Sequence, residues 1–225
     1  MHALIVGNSD GIGLALTRRL IDGGWQVTGL SRSPAPVGDH RVVDVTSPDF
    51  PRALSEIDNV DLCVYAAGIG DTLTDDFTAQ TRAIEVNLLG AARTVEVIVP
   101  KMLAAGRGHL IGLSSMADTL ISADAPGYAA SKAGLSAYFL GLDAALRPRG
   151  VAVTTVRFGF VDTKMAKSPV TPFRIPTEKA VDVLLTCVRK RPALVSYPRR
   201  MAALTGVLGP ALRLAARSKP FFGTR

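Results

Sequence analysis

The chain has 225 residues, which suits one large domain and is too short for two full ones. Its 48% apolar and 20% charged residues describe a packed chain and exclude a disordered one, and its two cysteines exclude a disulfide framework. The formal charge of +7 is uneven: residues 1–188 hold 17 Lys and Arg against all 19 acids, and residues 189–225 hold nine basic residues and no acid, which excludes a globally basic nucleic-acid binder.

The elements expected from the pattern alternate. Residues 3–6 form a short β-like run, followed by a glycine turn and an amphipathic stretch over 12–21. Strands are expected at 26–30, 42–45, 60–67, 109–114, 151–158 and 193–197. Helical patterns lie near 81–104, 128–146 and 177–190. Apolar runs separated by helices predict an α/β fold: a doubly wound, Rossmann-type parallel sheet with helices on both faces. Residues 1–198 make this domain and residues 199–225 a basic appendage. Pro169, Pro172 and Pro176 mark a loop after Thr163 that is a candidate lid. Cys63 and Cys187 sit in apolar runs and are expected to be buried free thiols in a reducing compartment. No stretch reaches 18 apolar residues without a charge, and no leader is expected ahead of the first strand, so a cytoplasmic location is expected.

Gly7-Asn8-Ser9-Asp10-Gly11-Ile12-Gly13 joins the first strand to the first helix. Glycines there let the backbone approach a pyrophosphate, and a helix N-terminus offers free N–H groups. A plain tight turn would need glycines too. The place of this one at the head of an alternating α/β chain favours a dinucleotide. The second strand ends at Ser31-Arg32-Ser33 with no acid to meet ribose hydroxyls. These residues offer donors to a 2′-phosphate, which favours NADP(H), unless Arg32 is only a solvated loop charge.

The chain resembles the short-chain dehydrogenase/reductase family over roughly residues 3–197. The resemblance rests on Gly7…Gly11-Ile12-Gly13, Asp44-Val45, Ala66-Ala67-Gly68, Asn87, Ser114-Ser115, Tyr128…Lys132 and Gly159…Thr163, in that order. Tyr128 and Lys132 are four residues apart and share a helix face. A nearby ammonium is expected to lower the phenol from its usual ~10, and such a Tyr suits proton donation to a carbonyl oxygen. The resemblance implies that Ser115 polarises the same oxygen, that Lys132 also binds the nicotinamide ribose, and that Asn87 holds a water in a proton relay. It further implies that Asp44 meets the adenine amino group beside Val45, and that Ala66, Ala67 and Gly68 let the backbone pass the cofactor. Gly159 and Val161 would position the nicotinamide, with Thr163 on its carboxamide. The chain departs from the family pattern in two places: Tyr65-Ala66 stands where Asn is usual, and Phe158 where Pro is usual.

Met116, Leu120, Ile121, Phe158, Phe160 and Phe173 are the expected pocket wall, although several would serve equally as core; they suggest an apolar ketone. Lys164, Lys167 and Arg174 are the cations of the lid. A homodimer or homotetramer is expected through the 81–104 helix and the one beginning at Tyr128, with Val95, Val99, Leu135 and Phe139 outermost. In the tail, Met201, Leu204, Leu208, Leu212 and Ala215 lie on one helical face and Arg199, Arg213 and Arg217 on the other, with a bend at Gly206, Gly209 and Pro210. That face docks either on protein or on anionic membrane. No nucleic-acid motif appears, and no metal site is expected. The function these residues suggest is NADPH-dependent reduction of a ketone, or the reverse alcohol oxidation. The competing reading is a non-catalytic dinucleotide-sensing or scaffold protein, recruited to membranes by the tail.

Overall fold

A computed structural model of the chain describes residues 1–165, 171–203 and 205. Seven strands, β1 (His2–Val6), β2 (Gln26–Ser31), β3 (Asp39–Val42), β4 (Leu62–Tyr65), β5 (Gly108–Ser115), β6 (Val151–Phe158) and β7 (Leu194–Tyr197), form one sheet. All pairings are parallel, in the order β3-β2-β1-β4-β5-β6-β7.

The pleat sends alternate residues to two cores, which is why the central strands are apolar throughout. Leu4, Val6, Cys63, Tyr65 and Leu110 face α4 (Gly90–Ala104) and α5 (Pro126–Leu146). Ala3, Ile5, Leu62, Val64 and Ile111 face α1 (Gly11–Asp22) and α6 (Thr177–Lys190). The chain leaves β1 for β2 on one side and returns to β4 on the other. The strand order therefore reverses between β1 and β4, and their carboxyl ends open a crevice.

Several expected elements shift. The third strand ends at Val42, so Val43–Val45 lie beyond it. There Asp44 takes the backbone N–H and the hydroxyl of Thr46, at 2.9 and 2.7 Å, and this local turn competes with sheet pairing. The helix expected over 81–104 is three pieces: α3 (Thr78–Ile84), a wide π-helical turn (Glu85–Leu89) and α4. A short helix, α2 (Phe50–Ser55), was not foreseen. Val95, Val99, Leu135 and Phe139 do not face outward. All four are buried in the core between sheet and helices, so they form no subunit contact. Cys63 and Cys187 are buried free thiols. Lys167, Pro169 and the tail from 206 onward, with Leu204, lie outside the described residues.

Candidate active site

The crevice holds a cleft of about 460 Å³. Gly7, Ser9, Asp10, Gly11, Ile12 and Gly13 form its floor, Ser31, Arg32, Asp44 and Val45 one end, and Ala66, Ala67, Gly68 and Thr163 the opposite wall. Two glycines are dictated by close approach. Gly7 has φ +93°, and a Cβ there would lie 2.5 Å from the Ala67 nitrogen; at Gly13 it would lie 2.0 Å from the Gly7 oxygen. Helix α1 therefore starts directly against the end of β1, with its first N–H groups at the cleft.

Asp10 caps that helix, accepting the Gly11 N–H at 2.7 Å. Lys164 reaches across from the lid side to its other oxygen at 2.8 Å, and this contact, with the Gly11 bond, holds the carboxyl below its ordinary range. At the far end Arg32 is exposed, while Ser31 is buried and donates to the Ser33 carbonyl at 2.8 Å. Asp44 also accepts Arg82 at 2.8 Å. Burial raises its carboxyl, but the Thr46 bonds and the Arg82 and Arg32 charges outweigh that and leave it lowered. Six expected cofactor contacts are not on the cleft lining: Asn8, Ser33, Tyr128, Lys132, Gly159 and Val161. Asn8 is fully buried beside the Ser31 hydroxyl, and Val161 bridges to Ile175.

Beyond Gly68, four polar side chains converge. Ser115 ends β5 and caps the 3-10 turn Met116–Thr119, its Oγ accepting the Ala117 N–H at 3.1 Å. That leaves its O–H free to donate, and its hydroxyl acts on the nearby Tyr128 phenol, holding it down against burial. Tyr128 stands in the first turn of α5, where Pro126 presets the backbone. Gln80 of α3 accepts the Gly127 N–H at 2.9 Å and fixes that turn. The Gly70 backbone lies across the Tyr128 ring, since a Cβ there would come 2.9 Å from a ring carbon. Lys132 is buried, with Nζ 2.8 Å from the Leu113 carbonyl and 5.8 Å from the centre of the Tyr128 ring. Asn87 sits in the π-helical turn, fully buried. It accepts from Ile69 N and donates to Ile69 O, both at 2.8 Å, and to the Ser131 hydroxyl at 2.9 Å. The wider turn lets this side chain clasp the β4–α3 loop.

The expected lowering of Tyr128 is not what the structure shows. Burial raises the phenol, Ser115 offsets part of this, and the charge of Asp118 adds to the rise. Lys132 does not compensate, because burial pushes it down to about 8. The apolar wall also changes. Met116 and Phe158 are buried, Phe158 within the α1/α6 core, whereas Ile121 and Phe173 are exposed. Arg174 is paired with Asp162 and Lys164 with Asp10, so neither stands free in the cleft. Ile69, Gly70, Gln80, Arg82 and Asp118 were not singled out from sequence. Only Asp118, three residues after Ser115, carried a local hint.

A family model described as short chain dehydrogenase matches residues 1–171. The chain is 34% identical to an uncharacterized oxidoreductase of Myxococcus xanthus, over 90% of this chain and 89% of that one. It is 30% identical to a 3-oxoacyl-(acyl-carrier-protein) reductase of Vibrio cholerae, over 74% and 75%. A short-chain dehydrogenase from Burkholderia cenocepacia, solved in complex with NADP, superimposes with a TM-score of 0.84 at 25% identity and 97% coverage of each chain.

Proposed function

From the premise that this chain belongs to the short-chain dehydrogenase/reductase family of NAD(P)-dependent oxidoreductases, we propose that it is an NADPH-dependent reductase of ketones, running in reverse as an alcohol dehydrogenase. The observation that carries this reading is the meeting of Ser115, Tyr128 and Lys132 just behind Gly68 and Gly70 of the cleft wall.

The residues fit a dinucleotide. The close approach at Gly7 and Gly13 and the later N–H groups of the first turn of α1, beyond the Gly11 N–H that Asp10 takes, suit a pyrophosphate. Arg32, exposed at the end of β2 where no acid stands, suits a 2′-phosphate. Asp44 and Val45 would border the adenine, and Thr163 and Lys132 would hold the nicotinamide half. The bound nicotinamide supplies the hydride. Tyr128 then donates its hydroxyl proton to the substrate oxygen, and Ser115, oriented by the Ala117 N–H, donates a hydrogen bond to that oxygen. A phenol raised by burial is protonated at neutral pH, which is the form reduction requires. Asn87 would hold the β4–α3 loop in place and keep the relay open.

The Vibrio cholerae relative and the apolar Ile69, Leu113 and Met165 along the cleft favour a ketone on an aliphatic or acyl chain. Self-association remains part of the proposal, now through exposed Leu89 at the end of the π-helical turn before α4 and exposed Ala137 and Gly141 of α5. The test is NADPH oxidation measured against 3-oxoacyl thioesters and aliphatic and aromatic ketones. Turnover with at least one and weaker use of NADH is expected. No turnover with either cofactor would return the chain to the sensing or scaffold class.

A further inference from the structure

Behind the proton-transfer residues lies a buried polar network that the proposed chemistry does not use. Asp118, in the 3-10 turn after Ser115, has a fully buried side chain. Its Oδ2 accepts from Ser136 Oγ of α5 and from Arg157 Nε of β6, both at 2.5 Å. Ser136 Oγ meets Ser114 Oγ at 2.7 Å, and Ser114 donates to the Lys132 carbonyl at 3.1 Å. The other Asp118 oxygen is buried without a partner among the described residues. A buried carboxylate is retained only where specific donors hold it, so the pair imposes a fixed geometry.

Ser136 lies one helical turn beyond Lys132 and two beyond Tyr128, on the same side of α5. Gripping Ser136 therefore sets both the rotation and the axial position of α5. The gripping residue belongs to the same short turn that Ser115 caps.

We infer that Asp118, clamped by Arg157, is a positioning residue for proton transfer: it fastens the turn carrying Ser115 to the helix carrying Tyr128 and Lys132. The two residues are 39 apart in the chain and meet because β5 and β6 are neighbours, with Ser114 opposite Arg157 in the register. The clamp also has an electrostatic effect, since the Asp118 charge acts on Tyr128 and favours its protonated form. The other groups facing the phenol are the Ser115 hydroxyl and, on its own helix, Lys132. The β4–α3 loop brings Gly70 against the ring and carries the acids Asp71, Asp75 and Asp76, and α3 contributes the neutral Gln80. Asp118 is thus the buried carboxylate that opposes ionisation.

This inference rests on the reading of Tyr128 as proton donor, so its main readout requires no turnover. The full-length protein is labelled with 13C-ring tyrosine, and the Tyr128 signal, identified by its loss in Tyr128→Phe, is followed from about pH 8 to the highest pH at which the protein stays folded, the onset of the phenolate shift being compared between variants. In Asp118→Asn the Tyr128 signal should move toward the phenolate at a pH lower than in wild type by about half a unit or more, because a negative charge has gone and the Arg157 charge is unbalanced. Arg157→Met added to Asp118→Asn removes both charges and should bring the titration back toward wild type. In the same Asn variant kcat should fall roughly tenfold with the NADPH Kd unchanged, a loss of alignment rather than of binding. An Asn variant that folds, titrates Tyr128 as wild type does and keeps wild-type kcat overturns the inference. If the Asn variant does not fold, the neutral double variant decides by kcat: a tenfold loss with intact NADPH binding supports the clamp, and wild-type kcat overturns it. If wild type itself reduces no ketone, the proposed function fails, while the Tyr128 titration still decides the role of Asp118.

Discussion

Lys132 Nζ donates to the Leu113 carbonyl at 2.8 Å and stands 5.8 Å from the centre of the Tyr128 ring, so its first tie is to the strand and not to the phenol. Burial pushes this lysine from 10.5 down to about 8. Between those values the unfolded chain binds the proton that the folded protein has lost. Folding stability contributed by this group therefore rises with pH across the window from about 8 to 10.5. The full effect has a ceiling of about 3 kcal/mol. In urea titrations at both ends of this window, wild type should gain on the order of 3 kcal/mol relative to Lys132→Met. Parallel pH curves for the two proteins would show that the buried lysine is not the group responsible.

Tyr128→Phe removes one hydroxyl and leaves the ring under Gly70 and the helix fastened by Gln80. The cleft floor is untouched. Reduction should fall by roughly 100-fold or more, as expected when a general acid is lost, while NADPH affinity stays within about twofold. Stopped-flow kinetics and fluorescence titration of NADPH separate the two effects. Near wild-type kcat would mean that another group delivers the proton.

Arg32 is exposed at the end of β2, and its charge already reaches Asp44 across that end of the cleft. On the proposed reading, Arg32→Asp would replace a 2′-phosphate partner with a like charge. A charge-assisted contact of ~1.5–3 kcal/mol corresponds to roughly one to two decades, so the NADPH/NADH preference in kcat/KM should shift by that amount. If wild type already prefers NADH, Arg32 does not select the cofactor.

Gly13→Ala places a methyl 2.0 Å from the Gly7 oxygen, and only a shift of α1 away from β1 relieves it. Overpacking of this kind costs about 1–3 kcal/mol. The shift also withdraws the helix N-terminus from the cleft, so NADPH binding should weaken by more than the loss of stability alone implies. Thermal melts with and without NADPH measure both. A variant that melts and binds like wild type would show that the start of α1 is not held by this contact.

What was legible in the sequence follows the strength of local signals. The β-branched run Val151–Phe158 is a strand over its full predicted length, because a central strand buried on both faces has no other use for such residues. The edge strand Asp39–Val42 is expected three residues late, at 42–45, since an exposed edge needs no apolar pattern and the apolar Val42-Val43 draws the strand past its end. The six-residue α2 is too short to show a period, and the π-helical turn at Glu85–Leu89 leaves the apolar pattern of its neighbours unbroken. In the site, Tyr128 and Lys132 are readable because one helix carries both. The Asp118–Arg157 pair is not, because only sheet registry unites residues on different strands. The outward placement of Leu135 and Phe139 failed for a related reason: α5 is apolar almost all round, so its pattern does not say which side meets the sheet.

The basic tail begins packed on the domain. At Gly159, just past β6, a Cβ would lie 2.4 Å from Met201 Sδ and 3.4 Å from a Pro198 carbon, so Met201 fills the space that the missing side chain leaves. Thr205 is buried as well. A segment held this way contributes to folding, whereas a lipid anchor does not. Deleting residues 199–225 should therefore cost about 1–2 kcal/mol, a drop in melting temperature of roughly 2–4 °C per kcal/mol. Gly159→Ala should reproduce part of that drop by displacing Met201. A lipid-docking tail predicts a different pattern. Each cation near an anionic surface adds roughly 1 kcal/mol, and salt screens it. The full chain would then pellet with anionic vesicles at low salt and be released at high salt, and the deletion would leave the melting temperature unchanged. The Met201 contact favours the first outcome. Vesicle pelleting combined with an unshifted melt would reverse it.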